Sequence, residues 1–133
     1  MREGGSLAET LESRLAQWSG RTGIRVEIWA LPSSDAPAPI ARAVLAVLDD
    51  ALANVERHSG AGTVSIAVTV GRGGLRMTVS DHGQGFNLGP TGPGIDRMRA
   101  AFAAVGGTVS VNSVLGEGTT VTGVVPRRGD RER

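Results

Sequence analysis

Residues 64–81 read Val-Ser-Ile-Ala-Val-Thr-Val-Gly-Arg-Gly-Gly-Leu-Arg-Met-Thr-Val-Ser-Asp. Val64, Ile66, Val68 and Val70 face one way, Gly71-Arg72-Gly73-Gly74 turns the chain, and Leu75, Met77 and Val79 return it. Alternation with a period of two around a glycine-rich turn is a β-hairpin with one apolar face. That face needs cover, and the neighbouring segments supply it.

Upstream, Ile40, Val44, Val47, Leu48, Ala51, Leu52 and Val55 lie on one face of a helix running from about Pro39 to His58. Pro39 suits its first turn. Residues 31–39 hold three prolines and form a loop. Before it, Ile24, Val26 and Ile28 alternate with Arg25, Glu27 and Trp29, as in a strand. Ser6 and Glu9 have capping-box spacing, and Leu7, Leu11, Leu15 and Trp18 follow at helical intervals to about Ser19-Gly20. Downstream, Ile95, Met98, Arg99 and Phe102 predict a short helix stopped by Gly106-Gly107, then strands near 108–114 and 119–125. The expected fold is an α+β two-layer sandwich: one mixed, mostly antiparallel sheet with helices on one face.

The 133 residues suit one domain, 1–133, with a core at about 7–126 and a charged tail at 127–133. There is no cysteine, so disulfides and thiolate metal sites are excluded. A net charge of +1 gives no electrostatic case for nucleic acid. No apolar run approaches the ~20 residues that span a bilayer. The expectation is a cytoplasmic domain without membrane contact of its own, with a membrane anchor in a longer parent left open.

Four segments carry unusual chemistry. Asp50, Asn54, Arg57 and His58 fall at i, i+4, i+7 and i+8, along one side of the second helix beside its apolar stripe. The amide oxygen of Asn54 is a hard ligand suited to Mg²⁺, and Arg57 and His58 suit phosphate oxygens. The same spacing also describes a solvated helix face. Asp81-His82-Gly83-Gln84-Gly85-Phe86 follows an apolar strand. A carboxylate and two glycines there allow a flat ligand to approach, and an exocyclic amino group to donate to Asp81; an Asx-type turn is the plainer alternative. Gly92-Pro93-Gly94-Ile95 opens the short helix, where amides favour anions. Gly116-Glu117-Gly118-Thr119 enters the last strand and by itself reads as a hairpin turn.

The order and intervals of these four segments resemble the GHKL ATPases: gyrase, the heat-shock chaperone, histidine kinases and the mismatch-repair ATPase. Asp50 to His58 is similar to the N box, Asp81-His82-Gly83-Gln84-Gly85 to the G1 box, Gly92-Pro93-Gly94-Ile95 to the G2 box, and Gly116-Glu117-Gly118-Thr119 to the closing GxGT. Ala51-Leu52-Ala53-Asn54-Val55-Glu56-Arg57-His58-Ser59 further resembles sensor histidine kinases of the subgroup paired with NarL-type response regulators. The resemblance implies that Asn54 holds Mg²⁺ with help from Asp50, and that Arg57 and His58 touch the phosphates of ATP. It implies that Asp81 selects adenine, Gly83 and Gly85 admit the base, Gly92 and Gly94 hinge a short lid, and Thr119 supports Asp81. The γ-phosphate would pass to a histidine on a separate phosphoacceptor domain and thence to a response regulator.

Three departures stand out. Asp50 replaces the usual Glu; Arg97 and Ala100-Ala101 replace a small residue and a charged pair; and the two histidines, His58 and His82, both lie inside nucleotide motifs. Two alternatives therefore stay beside the histidine-kinase reading: a serine kinase of the anti-sigma-factor type, and a non-catalytic nucleotide-binding module.

Overall fold

Ser6 closes the start of the first helix. Its hydroxyl accepts from the Glu9 amide at 3.2 Å, and the Glu9 carboxylate accepts from the Ser6 amide at 2.9 Å. The Leu7 amide donates to Asp35 in the 31–37 loop at 2.9 Å. Amides that the helix leaves open are thus paired. In the computed structural model, which describes residues 6–59, 62–82, 93–114 and 118–126, this helix (α1) spans Leu7–Thr22 and buries Leu7, Leu11, Leu15 and Trp18. It runs past Ser19-Gly20, where the sequence suggested an end. The stop is Gly23, at φ +79°, whose amide reaches the Ser19 carbonyl at 2.8 Å. A left-handed cap needs glycine, whereas Gly20 in a helix interior costs only about 1 kcal/mol.

The remaining elements are β1 (Arg25–Ala30), α2 (Ala38–Asn54), β2 (Thr63–Gly71), β3 (Gly74–Asp81), α3 (Pro93–Ala103), β4 (Thr108–Val114) and β5 (Gly118–Pro126). The sheet order is β1-β2-β3-β5-β4. β1 and β2 are parallel, and the other pairs are antiparallel. The expected mixed, mostly antiparallel sheet is what forms. β1 departs from its expected alternation. The register slips between Ile28 and Ala30, and Ile28 and Trp29 are 42% and 75% exposed. An edge strand has a partner on one side only, and a bulge there re-aims side chains without breaking a ladder on both sides.

One face of the sheet meets the helices. Val64, Ile66, Val68, Leu75, Met77, Val79, Val109, Val111, Val121 and Val125 are buried in one cluster with the apolar stripes of α1, α2 and α3. Phe102 of α3 packs directly against Gly123 of β5, where an added Cβ would meet its ring at 2.5 Å. The seam between helix and sheet thus needs glycine there. No helix among the described residues is long and apolar enough to cross a membrane.

Candidate functional site

Asp81 ends β3 on the same face as Leu75, Met77 and Val79, so it points toward the helices and is 5% exposed. A buried carboxylate on a core face is costly unless its oxygens find donors. Its position is held from both sides: Val64 of β2 and Thr119 of β5 are its register partners. Thr119 is 8% exposed and shares a 2.8 Å hydroxyl bond with Ser113 of β4. Three strands therefore place Asp81, Thr119 and Ser113 side by side at one end of the inner face.

Gly118 makes that arrangement possible. It sits at φ +109°, and an added Cβ would overlap the Asp81 carbonyl oxygen and come within 2.9 Å of the His82 Cα. The sequence marks Gly118 as part of a turn; the structure shows a backbone laid directly against Asp81.

The second cluster is on α2. This helix does not continue as α-helix to His58. Val55 donates to both Ala51 and Leu52 carbonyls, and Val55–Ser59 forms a π-helical turn. Such turns are rare and collect at functional sites. Arg57 Nη2 donates to Asn54 Oδ1 at 2.9 Å, and Arg97 Nη2 of α3 reaches Asp50 Oδ1 at 3.4 Å. A Cβ on Gly94, in the first turn of α3, would stand 3.9 Å from Asn54 Oδ1 and 3.6 Å from Arg97 Nη2. Asp50, Asn54, Arg57, Gly94 and Arg97 thus come together where the end of α2 meets the start of α3. The clusters share one end of the sheet. Ile40, near the start of α2, lines a cavity with Val70, Gly71 and Leu75 at the turn end of the hairpin, so the C-terminal end of α2 runs toward the Asp81 end.

Glu56 was not marked by the sequence reading, yet it anchors the turn. Its carboxylate accepts from Trp18 Nε1 at 2.9 Å and from Arg21 Nη1 and Nη2 at 3.1 and 3.0 Å. The bonds from Arg21, then that from Trp18, hold the Glu56 carboxyl below its ordinary range, and the same pairing raises Arg21. The clue was present: a lone acid between the apolar stripe and two basic residues, with Trp18 on the preceding helix. Its meaning depends on how α1 and α2 pack, which spacing alone does not give. Gly83, Gly85 and Gly92, expected to admit the base and hinge the lid, lie outside the described residues, as does the side chain of His58.

A mixed five-stranded sheet covered by helices on one face is a two-layer α+β sandwich, and comparison gives the family. A family model described as histidine kinase-, DNA gyrase B-, and HSP90-like ATPase matches residues 40–129. The chain belongs to that family. It is 34% identical over 132 residues to the sensor histidine kinase MctS of Rhizobium johnstonii, covering 94% of this chain and 28% of that protein. It is 29% identical over 138 residues to the sensor histidine kinase LiaS of Bacillus subtilis, covering 98% of this chain and 38% of that one. It spans between a quarter and two-fifths of these relatives' length. The fold matches the histidine kinase domain of the blue-light activated histidine kinase of Erythrobacter litoralis, with a TM-score of 0.78 at 24% identity, covering 91% of this chain and 61% of that one.

Proposed function

We propose that this chain is the catalytic ATP-binding part of a sensor histidine kinase, presenting the γ-phosphate to a histidine on a separate phosphoacceptor domain. The observation that carries the reading is the pairing of two unlike clusters at one end of one sheet. A buried, strand-held carboxylate at Asp81 suits the exocyclic amino group of adenine. The polar side chains Asp50, Asn54 and Arg57 at the helix rim suit phosphates and a hard cation. The kinase names of the relatives fit this assignment.

Phosphoryl transfer asks the protein for positioning and charge neutralisation rather than covalent chemistry. Asp81 would fix the base, with Thr119 and Gly118 fixing Asp81. Gly83 and Gly85 would let the base approach, Gly92 and Gly94 would hinge the lid, and Arg57 with His58 would take phosphate oxygens. Among the described residues no group of three or more acidic, histidine or cysteine side chains forms a metal cage. Magnesium rarely needs one, since phosphates and water complete its shell. The donor set fits: Asp50 and Asn54 offer two side-chain oxygens one helical turn apart, each resting on a guanidinium that a cation would have to displace. Bound there, Mg²⁺ would neutralise phosphate charge.

The test uses labelled ATP with the isolated chain and with a separate phosphoacceptor domain from a cognate kinase. The chain alone is expected to bind ATP, hydrolyse it slowly and acquire no stable label, because His58 and His82 belong to the pocket. Adding the acceptor domain should give acid-labile label on that domain. Transfer should be weak, because a tether's effective concentration, of order millimolar, is missing. Acid-labile label on the isolated chain would overturn the assignment of its histidines. Acid-stable label on a partner's serine would overturn the histidine-kinase reading in favour of the anti-sigma type.

A further inference from the structure

Both oxygens assigned above to a metal already carry a guanidinium. Arg57 covers Asn54 Oδ1 from the π turn of its own helix, and Arg97 covers Asp50 Oδ1 from α3. Arg97 is the member that comes from a different helix. The fold brings that arginine, 47 positions along the chain, from α3 onto the acidic residue of α2. Its side chain is 61% exposed and that of Asp50 24%. A rim contact of that length adds little to stability, so holding the fold together does not account for it. A divalent cation and a guanidinium repel one another and compete for the same carboxylate. A polyphosphate arriving beside them offers the guanidinium a better partner, because its planar fork matches phosphate oxygens two at a time.

We propose that Arg97 is a phosphate-binding residue that exchanges its contact with Asp50 for the polyphosphate of a bound nucleotide. It supplies positive charge from α3 opposite that supplied by Arg57, and nucleotide binding by this chain therefore depends less on Mg²⁺ than the paired oxygens alone would require. The inference rests on the ATP-binding reading above and adds a charge-neutralising residue to it.

Calorimetric titration of the whole chain tests it, using adenosine, ATP in EDTA and ATP in Mg²⁺ against wild type, Arg97→Ala and Arg97→Lys. Arg97→Ala should weaken metal-free ATP binding about tenfold or more, the size of a lost charge-assisted hydrogen bond. It should weaken Mg²⁺–ATP binding distinctly less and leave adenosine binding unchanged. Arg97→Lys should recover part of the metal-free affinity, since it keeps the charge and loses the fork. Equal loss with and without Mg²⁺, loss of adenosine binding, or no loss of metal-free ATP binding would each overturn the proposal. A wild-type chain that binds neither adenosine nor ATP would sink the nucleotide reading itself, and this inference with it.

Discussion

The two halves of the proposed nucleotide site are built from different material. The base half is sheet: Asp81 and Thr119 are 5% and 8% exposed, fixed in register on adjacent strands, with the Gly118 backbone laid against them. The phosphate half is the rim of a helix: Asp50 and Asn54 are half-buried, Arg57 and Arg97 are exposed, and the helix opens into a π turn. The contrast follows from what each ligand part demands. Discriminating a purine by one hydrogen bond needs an acceptor that does not move, which packing and register provide. Phosphates and a cation arrive with charge of their own, and side chains that can exchange partners meet them without a rigid cage.

The contrast breaks most completely at Gly118. An alanine there must adopt a positive φ and displace the Asp81 backbone, costs that together come to roughly 3 kcal/mol. Gly118→Ala should therefore lower Tm by roughly 10 °C and abolish nucleotide binding. Thermal melts followed by circular dichroism read this, and a variant that melts like wild type and binds ATP normally would show that the base half is not rigid.

The smallest effect belongs to the clamp under the phosphate half. Glu56 is held below its ordinary titration range by Arg21 and Trp18, so the folded state favours its carboxylate. The resulting stability is present at neutral pH and is lost as pH falls below the ordinary glutamate value of about 4.3 and through the lower folded one. Glu56→Gln should melt slightly below wild type at pH 7, and the gap should close in acid. Salt should shrink it as well, because the pair is exposed to solvent. A gap independent of pH would mean that Arg21 and Trp18 do not act on a carboxylate.

The same contrast governed what could be read from the sequence. The hairpin at 64–81, the capping box at Ser6 and the stripe of α2 were legible because period and capping are local properties of the chain. Asp81 was legible too, as a carboxylate at the end of an alternating strand. Its pairing with Thr119 was not visible in spacing, since it depends on β5 lying between β3 and β4. The exposure of Ile28 was missed because alternation cannot tell an edge strand from an inner one. The π turn was missed because Asp50, Asn54 and Arg57 fit an unbroken helix equally well on paper. Glu56 and Arg97 gained meaning only once α1 and α3 were placed against α2.

The central claim is that one end of the sheet reads the base while the helix rim holds the phosphates, and the two should fail separately. Titrating adenosine and Mg²⁺–ATP into Asp81→Asn and Asn54→Ala tests that division directly. Asp81→Asn places an amide where a carboxylate accepts, and should weaken both ligands by about tenfold to a hundredfold. Asn54→Ala should weaken Mg²⁺–ATP while adenosine binds as to wild type. Adenosine binding damaged equally by Asn54→Ala, or spared by Asp81→Asn, would contradict the account.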